Sequence, residues 1–469
     1  LIGCHAALAW ISPEFGYDLP LLEQPVVTMV FIELAAGAVF LLAVWGAVSR
    51  RWTKDRAFPW IICVGIFLRG VMFVSTPMLE HDYYRYLWDG AVLANGVNPY
   101  LYSPKQAVDA SEPVHGPLVR LVHQSGAVIA RVSFRELRTI YPPVAQAAFA
   151  AAYMLRPWSE FTLRIVLALF DGATLIILLI ALRSLDLPYS LVAVYWWNPL
   201  VVRETFNTMH LDVIALPFAL AAVFLTIRGR HLWAASTLAF AVAAKLWPIV
   251  FLPLILWPQR RKPKRALLSF GIFGLMSAIL FVPVFLSGID ASSGFVAYGR
   301  YWEMNDAAYR LISWGVKYIL AALSLSTALT QVITRLIVGI VVVFWAIWLP
   351  RTMPLDSKQV WDRCLLIVAA VFLLSPTGFP WYYLWVVPFL AISGRPSLLL
   401  LNCMLPLYYL VYFYRARGTP QAFDSVVIWA QYLPFWGLAM WEWLSGRRRV
   451  RMTQEVACGS SQRPDDAPH

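Results

Sequence analysis

The chain has 469 residues, of which 60% are apolar and only 14% charged, against about 25% charged in soluble domains. With a mean hydropathy of +0.64 it is a polytopic membrane protein. Its net charge of +12 therefore belongs to short basic loops of the positive-inside kind and is not read as nucleic-acid binding. The scattered Cys4, Cys63, Cys364, Cys403 and Cys458 show no paired spacing, so neither a disulfide framework nor a zinc site is expected.

A membrane-spanning helix needs about 20 apolar residues. Leu1–Ser12 is apolar but too short, whereas Pro25–Val48 qualifies. The basic loop Ser49–Arg56 is placed in the cytoplasm, so Phe58–Leu79 returns the chain to the outer face. There the sequence changes character: Glu80–Tyr100 reads E-H-D-Y-Y-R-Y-L-W-D-G-A-V-L-A-N-G-V-N-P-Y. The whole polar stretch to Thr139 is too long for a connector and reads as an external loop carrying short amphipathic helices.

Further apolar segments follow at Tyr141–Leu155, Leu163–Leu182, Tyr189–Val202, Val213–Ile227, Leu232–Ala244, Leu246–Trp257 and Ala266–Leu286. Others lie at Thr327–Leu349, Leu365–Leu374, Trp381–Ile392, Leu398–Tyr414 and Ser425–Leu444. Basic loops at Arg228–His231, Arg260–Arg265, Arg351–Arg363 and Gly446–Arg451 mark the inner face. The expected fold is all-α and polytopic, with about 11–13 membrane helices. Several are half-length, and half-helices that meet inside a membrane usually line a site. Residues 1–451 form one transmembrane domain, with external loops at 80–141 and 288–310 and a polar, disordered cytoplasmic tail at 452–469.

No Walker motif, G-x-G-x-x-G, H-E-x-x-H or G-x-S-x-G occurs, so the chemistry rests on scattered polar clusters. Taken as a helix, Asp82, Arg85, Tyr86 and Asp89 share one face. Asp82, nearest the helix mouth, suits a general base, with a cation nearby to hold a phosphate. The plainer alternative is an ion pair that caps an interfacial helix. Asn95–Tyr100 is a turn signature that shapes the loop. Arg203, Glu204, His210 and Asp212 sit between two short apolar runs, where charges usually line a cavity; a hydrated hairpin is the alternative. Lys245 interrupts A-V-A-A-K-L-W-P-I and either meets a lipid phosphate or snorkels. Arg300, Trp302, Glu303, Asn305 and Asp306 offer a sugar an apolar face and hydroxyl partners, or form an ordinary interfacial loop. Trp381 and Tyr382 follow a Pro/Gly break and either close over substrate or belong to an aromatic belt.

In order, these clusters resemble a known family. D-Y-Y-R-Y-L-W-D-G with G-V-N-P-Y is similar to the first external loop of GT-C glycosyltransferases that use polyprenyl-phosphate sugars, in particular the actinobacterial membrane alpha-mannosyltransferases. T-I-Y-P-P, W-N-P-L, H-L-D, A-K-L-W-P, Y-W-E-M-N-D and P-W-Y-Y-L-W follow in the same order, and the resemblance covers about residues 58–395. It implies a GT-C-like fold, a lipid-linked donor, an external active site in the plasma membrane and a first-loop acid as base, by position Asp82. Asp212 resembles the family's second acid and Lys245 its half-helix lysine. Many relatives carry adjacent acids in the first loop; here His81 and Tyr83 flank Asp82, a poor magnesium site, so no metal or other cofactor is assigned.

The expected function is transfer of a sugar, mannose for preference, from a polyprenyl monophosphate to a glycan, glycolipid or protein hydroxyl. Asp82 and Asp212 are the catalytic candidates. Arg85, Arg203, Lys245 and Arg300 are the candidates for the donor phosphate and lipid. Asp89, Tyr86, His210, Glu204, Trp302, Asn305, Trp381 and Tyr382 are the candidates for sugar and acceptor. A flippase for lipid-linked sugars is the alternative, although no paired repeat appears. A polymerase or ligase with a polyprenyl-diphosphate donor is another, and would need more outer-face cations.

Overall fold

The computed structural model describes residues 1–49, 57–109, 116–351 and 356–460. The basic loop 50–56, part of the loop 351–363 and residues 461–469 lie outside the described residues. Within them every regular element is helical, and strand pairing is limited to two isolated bridges, so the chain is all-α and polytopic.

Five helices are long and apolar enough to cross a membrane: Val26–Gly46, Glu160–Ser184, Pro263–Leu286, Thr327–Arg351 and Pro396–Ala416. The pair Pro199–Phe206 and Leu211–Ile227 makes a sixth span, bent by 104°. Ala57–Phe73, Pro143–Leu155, His231–Ala244 and Trp247–Gln259 are shorter and apolar. The long spans therefore number fewer than the helices expected, because much of the apolar sequence is spent on half-length pieces. Pro263–Leu286 and Thr327–Arg351 are the least covered by protein. Their exposed Leu267, Leu275, Leu336 and Ile340 suit a lipid-facing position, since lipid tails are as apolar as leucine. The helix Ile428–Ser460 continues through 452–460, where composition leads one to expect a disordered tail; Met, Gln, Glu and Ala in that stretch are adequate helix formers.

The breaks have local causes. Asn198 caps Pro199–Phe206, its side chain accepting from the Leu200 and Val201 amides, and Pro199 sits at the first helical position, where its missing N–H costs nothing. At the bend, Met209 has φ 58°. His231–Ala244 ends at Lys245, whose backbone is extended (φ −157°), and the chain resumes as a 3-10 turn from Trp247.

The stretch ahead of Asp82 is pinned onto the bend. The Asn207 side chain accepts from the Met78 amide at 3.0 Å and donates to Ser75 Oγ and the Thr76 carbonyl, both at 2.7 Å. Arg164 donates to the Ser75 and Phe206 carbonyls. The helix Asp82–Ala94 then packs along Pro143–Leu155. Gly90 permits this, since a Cβ there would lie 2.5 Å from the Phe149 carbonyl oxygen. As the turn signature implies, Asn95 caps the helix and Asn98 Oδ1 accepts from the Tyr100 amide. Farther on, Arg138 joins the two long loops by donating to the Ser287 and Gly288 carbonyls and pairing with Asp290 at 2.9 Å.

Candidate active site

Asp82 is the first residue of its helix, preceded by His81 at the N-cap, where the helix dipole favours a negative charge. It is half-buried, and no hydrogen bond or ion pair among the described residues engages its carboxylate. Its charge and that of Asp212 both act on the phenols of Tyr86 and Tyr382, which burial already pushes well up. The two acids, one from the first loop and one from the bent span, thus lie within electrostatic range of the same pair of phenols.

Asp212 is buried and occupied. Lys245 Nζ lies 3.0 Å from its Oδ1, and Trp385 Nε1 donates to the same oxygen at 2.7 Å. Lys245 stays 18% exposed, and its ammonium lies over the Tyr382 ring at 4.6 Å. An ammonium has three donors, so this pairing leaves two for a ligand. The remaining cations singled out in the sequence are placed differently. Arg85 is buried, donating to Asp89 at 2.8 Å and to the Leu137 carbonyl. Arg203 is buried between Glu204 and Glu33, each at 2.7 Å, over the Tyr409 ring. Arg300 is exposed beside Tyr301.

Asp89 is held from two sides, by Arg85 and by Gln146 at 3.0 Å. Glu204 accepts from Tyr409 and Thr208 and lies 3.0 Å from His210 Nδ1. The His210 ring stacks on Trp381, with centroids 4.1 Å apart. Tyr382 shares a 3.0 Å hydrogen bond with Tyr298, whose ring stacks on Trp302. Asn305 donates to the Gly378 carbonyl and accepts from Tyr432 through its own carbonyl, a clasp between the second loop and the 375–380 break. The structure therefore brings Asp212, Lys245 and Tyr382 into contact, with His210 and Trp381 alongside, and leaves Asp82 within electrostatic range of Tyr382. Arg300 stands apart.

Sequence reasoning passed over Glu80, which is 8% exposed and accepts a 2.7 Å hydrogen bond from Tyr412. Burial pushes its carboxyl up to about 7, with the His210 charge opposing and that of Asp82 adding. A signal was present in the E-H-D run, but the partner lies 332 positions away. The folded state holds the Glu80 proton more tightly than the unfolded chain. The associated stability is complete below the ordinary value of 4.5 and is lost as pH rises through about 7. In detergent, the wild-type melting temperature is expected to fall between pH 5 and pH 8 by the equivalent of about 2.5 kcal/mol, and Glu80→Gln to flatten that decline. An unchanged slope in the variant excludes Glu80 as the titrating group.

Among the described residues no three His, Cys, Asp or Glu side chains group to hold a metal ion. Residues 14–260, more than half of the chain, match the family model described as alpha-(1->6)-mannopyranosyltransferase, N-terminal domain. The chain is also 24% identical over 413 residues to alpha-(1->6)-mannopyranosyltransferase A of Mycobacterium tuberculosis, a match that covers 81% of this chain and 72% of the relative. No solved structure matches. The resemblance drawn from the loop motifs is borne out: the chain belongs to the alpha-(1->6)-mannopyranosyltransferase family and is a multi-pass membrane mannosyltransferase.

Proposed function

We propose that the chain transfers a mannosyl residue from a polyprenyl-monophosphate donor to a sugar hydroxyl on the outer membrane face, with Asp82 as general base. The observation that carries this reading is the contrast between the two acids. Asp212 is paired with Lys245 and hydrogen-bonded by Trp385, whereas Asp82 is half-exposed and unpaired among the described residues. Asp82 takes the proton of the acceptor hydroxyl, the oxygen attacks C1 of the sugar, and the C1–O bond to the phosphate breaks. Lys245 meets the negative charge that grows on the leaving phosphate, an electrostatic contribution of the kind that dominates many enzymes. Asp212 holds Lys245 in place, and Tyr382 lies beside the ammonium.

Several of the residues with sequence-based assignments take different parts in this proposal. Arg85 and Arg203 are consumed by carboxylates of the protein and support the site from behind. Asp89 and Glu204 complete those pairs. Trp381, stacked between His210 and Phe379, braces the wall beside Tyr382, and Trp302 lies one ring beyond Tyr382.

The test offers the purified protein in nanodiscs three donors in parallel: radiolabelled polyprenyl-phosphate mannose, a polyprenyl-diphosphate sugar and GDP-mannose, each with an α-mannoside acceptor. Label should move from the monophosphate alone, without ATP. Transfer from GDP-mannose, or movement of label across the bilayer without transfer, refutes the proposal.

A further inference from the structure

A cavity of about 330 Å³ opens on the flank of the Asp82 stretch. Tyr17, His81, Tyr83, Tyr84, Arg131 and Glu160 line it. Its aromatic wall is built from distant parts of the chain. Tyr17 meets His81 and Tyr84 edge-on at 4.8 and 5.6 Å, and His81 stacks on Tyr84. Arg131 closes one side, donating to Tyr84 Oη at 2.9 Å and lying over the Tyr17 ring at 4.7 Å.

The charges of the cavity are already balanced. Arg131 pairs with Asp18 at 2.7 Å, and Glu160 lies 3.9 Å from Arg164. Burial lowers His81 to about 4, so at neutral pH its imidazole carries one donor and one acceptor. Neither nitrogen has a hydrogen-bond partner among the described residues. With Arg131 set against Asp18 and Glu160 beside Arg164, the cavity carries no net positive charge to draw a phosphate. Flat rings beside neutral donors and acceptors suit a pyranose, whose C–H face rests on a ring while its hydroxyls meet polar atoms at the edge.

Position narrows the ligand further. Tyr83 and Tyr84 follow Asp82 at about 100° and 200° around the helix, so the cavity lies round the first turn from the carboxylate. A sugar in it cannot be the one that reacts at Asp82. We infer that this cavity is a distal acceptor subsite, holding an uncharged hexopyranose unit of the acceptor chain while another unit of that chain presents its hydroxyl at Asp82. The inference rests on the reading of Asp82 as the base.

The consequence is a preference for longer acceptors. With polyprenyl-phosphate mannose as donor, kcat/KM is measured for methyl α-mannoside and for a methyl α-(1→6)-mannotrioside. The wild type favours the trioside. Tyr17→Ala, at an exposed position, and His81→Phe each cut that preference by about tenfold, the order expected for removing one aromatic or hydrogen-bonded anchor, and leave the monoside rate intact. A wild type without the preference, or variants that keep it, overturns the subsite. Trioside binding by saturation-transfer NMR separates the two readings. It persists in Asp82→Asn and disappears in Asp82→Asn/Tyr17→Ala if the subsite exists, whatever Asp82 itself does to turnover.

Discussion

Asp82→Asn lowers transfer by about 10²–10⁴-fold, the usual contribution of a general base, and leaves folding and donor binding intact. The side chains are nearly equal in volume, and no partner of Asp82 is broken, because none among the described residues engages it. Asn keeps the shape of the side chain; it loses the capacity to accept a proton and, with the charge, a helix-start contribution of about 0.3–1 kcal/mol. Single-turnover transfer with purified donor, beside a melting curve and a donor-binding isotherm, is the measurement. A variant that turns over within a few-fold of wild type removes Asp82 from the chemistry. A variant that loses donor binding with its rate makes the carboxylate a ligand of the donor instead.

That result is informative because the buried arginines are so thoroughly paired. Arg69 donates to Asp171 at 2.6 Å and to the Trp196 carbonyl at 2.7 Å, with its guanidinium over the Trp196 ring. Tyr195 donates to the same Asp171. Removing charge from water costs several kcal/mol per ion, so such groups persist where neighbours satisfy them fully. Asp82 and Lys245 depart from this pattern, Asp82 with no partner and Lys245 with one partner and spare donors. Incomplete satisfaction of a half-exposed charge separates groups that meet a ligand from groups that hold the fold.

Much of the fold was legible as apolar runs. The segments Leu163–Leu182 and Ala266–Leu286 fall within the observed helices Glu160–Ser184 and Pro263–Leu286, and the interruption at Lys245 is a true break. Tyr189–Val202, in contrast, reads as one short span and is three pieces, because Asn198 stops one helix and caps the next. In the candidate site, helical spacing correctly put Asp82 and Tyr86 on one face. It did not choose Arg85's partner. Asp82 at i−3 and Asp89 at i+4 are both within reach, and Asp89 holds the pair because Gln146 and the Leu137 carbonyl reach the same place from later in the chain. Contacts of that range, like Trp385 to Asp212 or Tyr412 to Glu80, leave no local trace in a sequence.

Two paired cations give opposite results on the same argument. Arg203→Met should destabilise the protein by about 3–5 kcal/mol, the cost of leaving a buried charge without its partner. Arg203 answers both Glu33 and Glu204 and donates to the Met78 carbonyl just before the Asp82 stretch. Its loss strands two carboxylates and loosens the approach to the site. Lys245→Met strands one carboxylate, Asp212, which retains the Trp385 hydrogen bond. The melting temperature should therefore fall more for Arg203→Met, while the rate of the folded fraction falls more for Lys245→Met. Adding Glu33→Gln to Arg203→Met should restore part of the stability, since one of the stranded charges is gone. If Lys245→Met is instead the less stable protein and keeps its rate, Lys245 is the structural cation, and the leaving phosphate must find its counter-charge elsewhere.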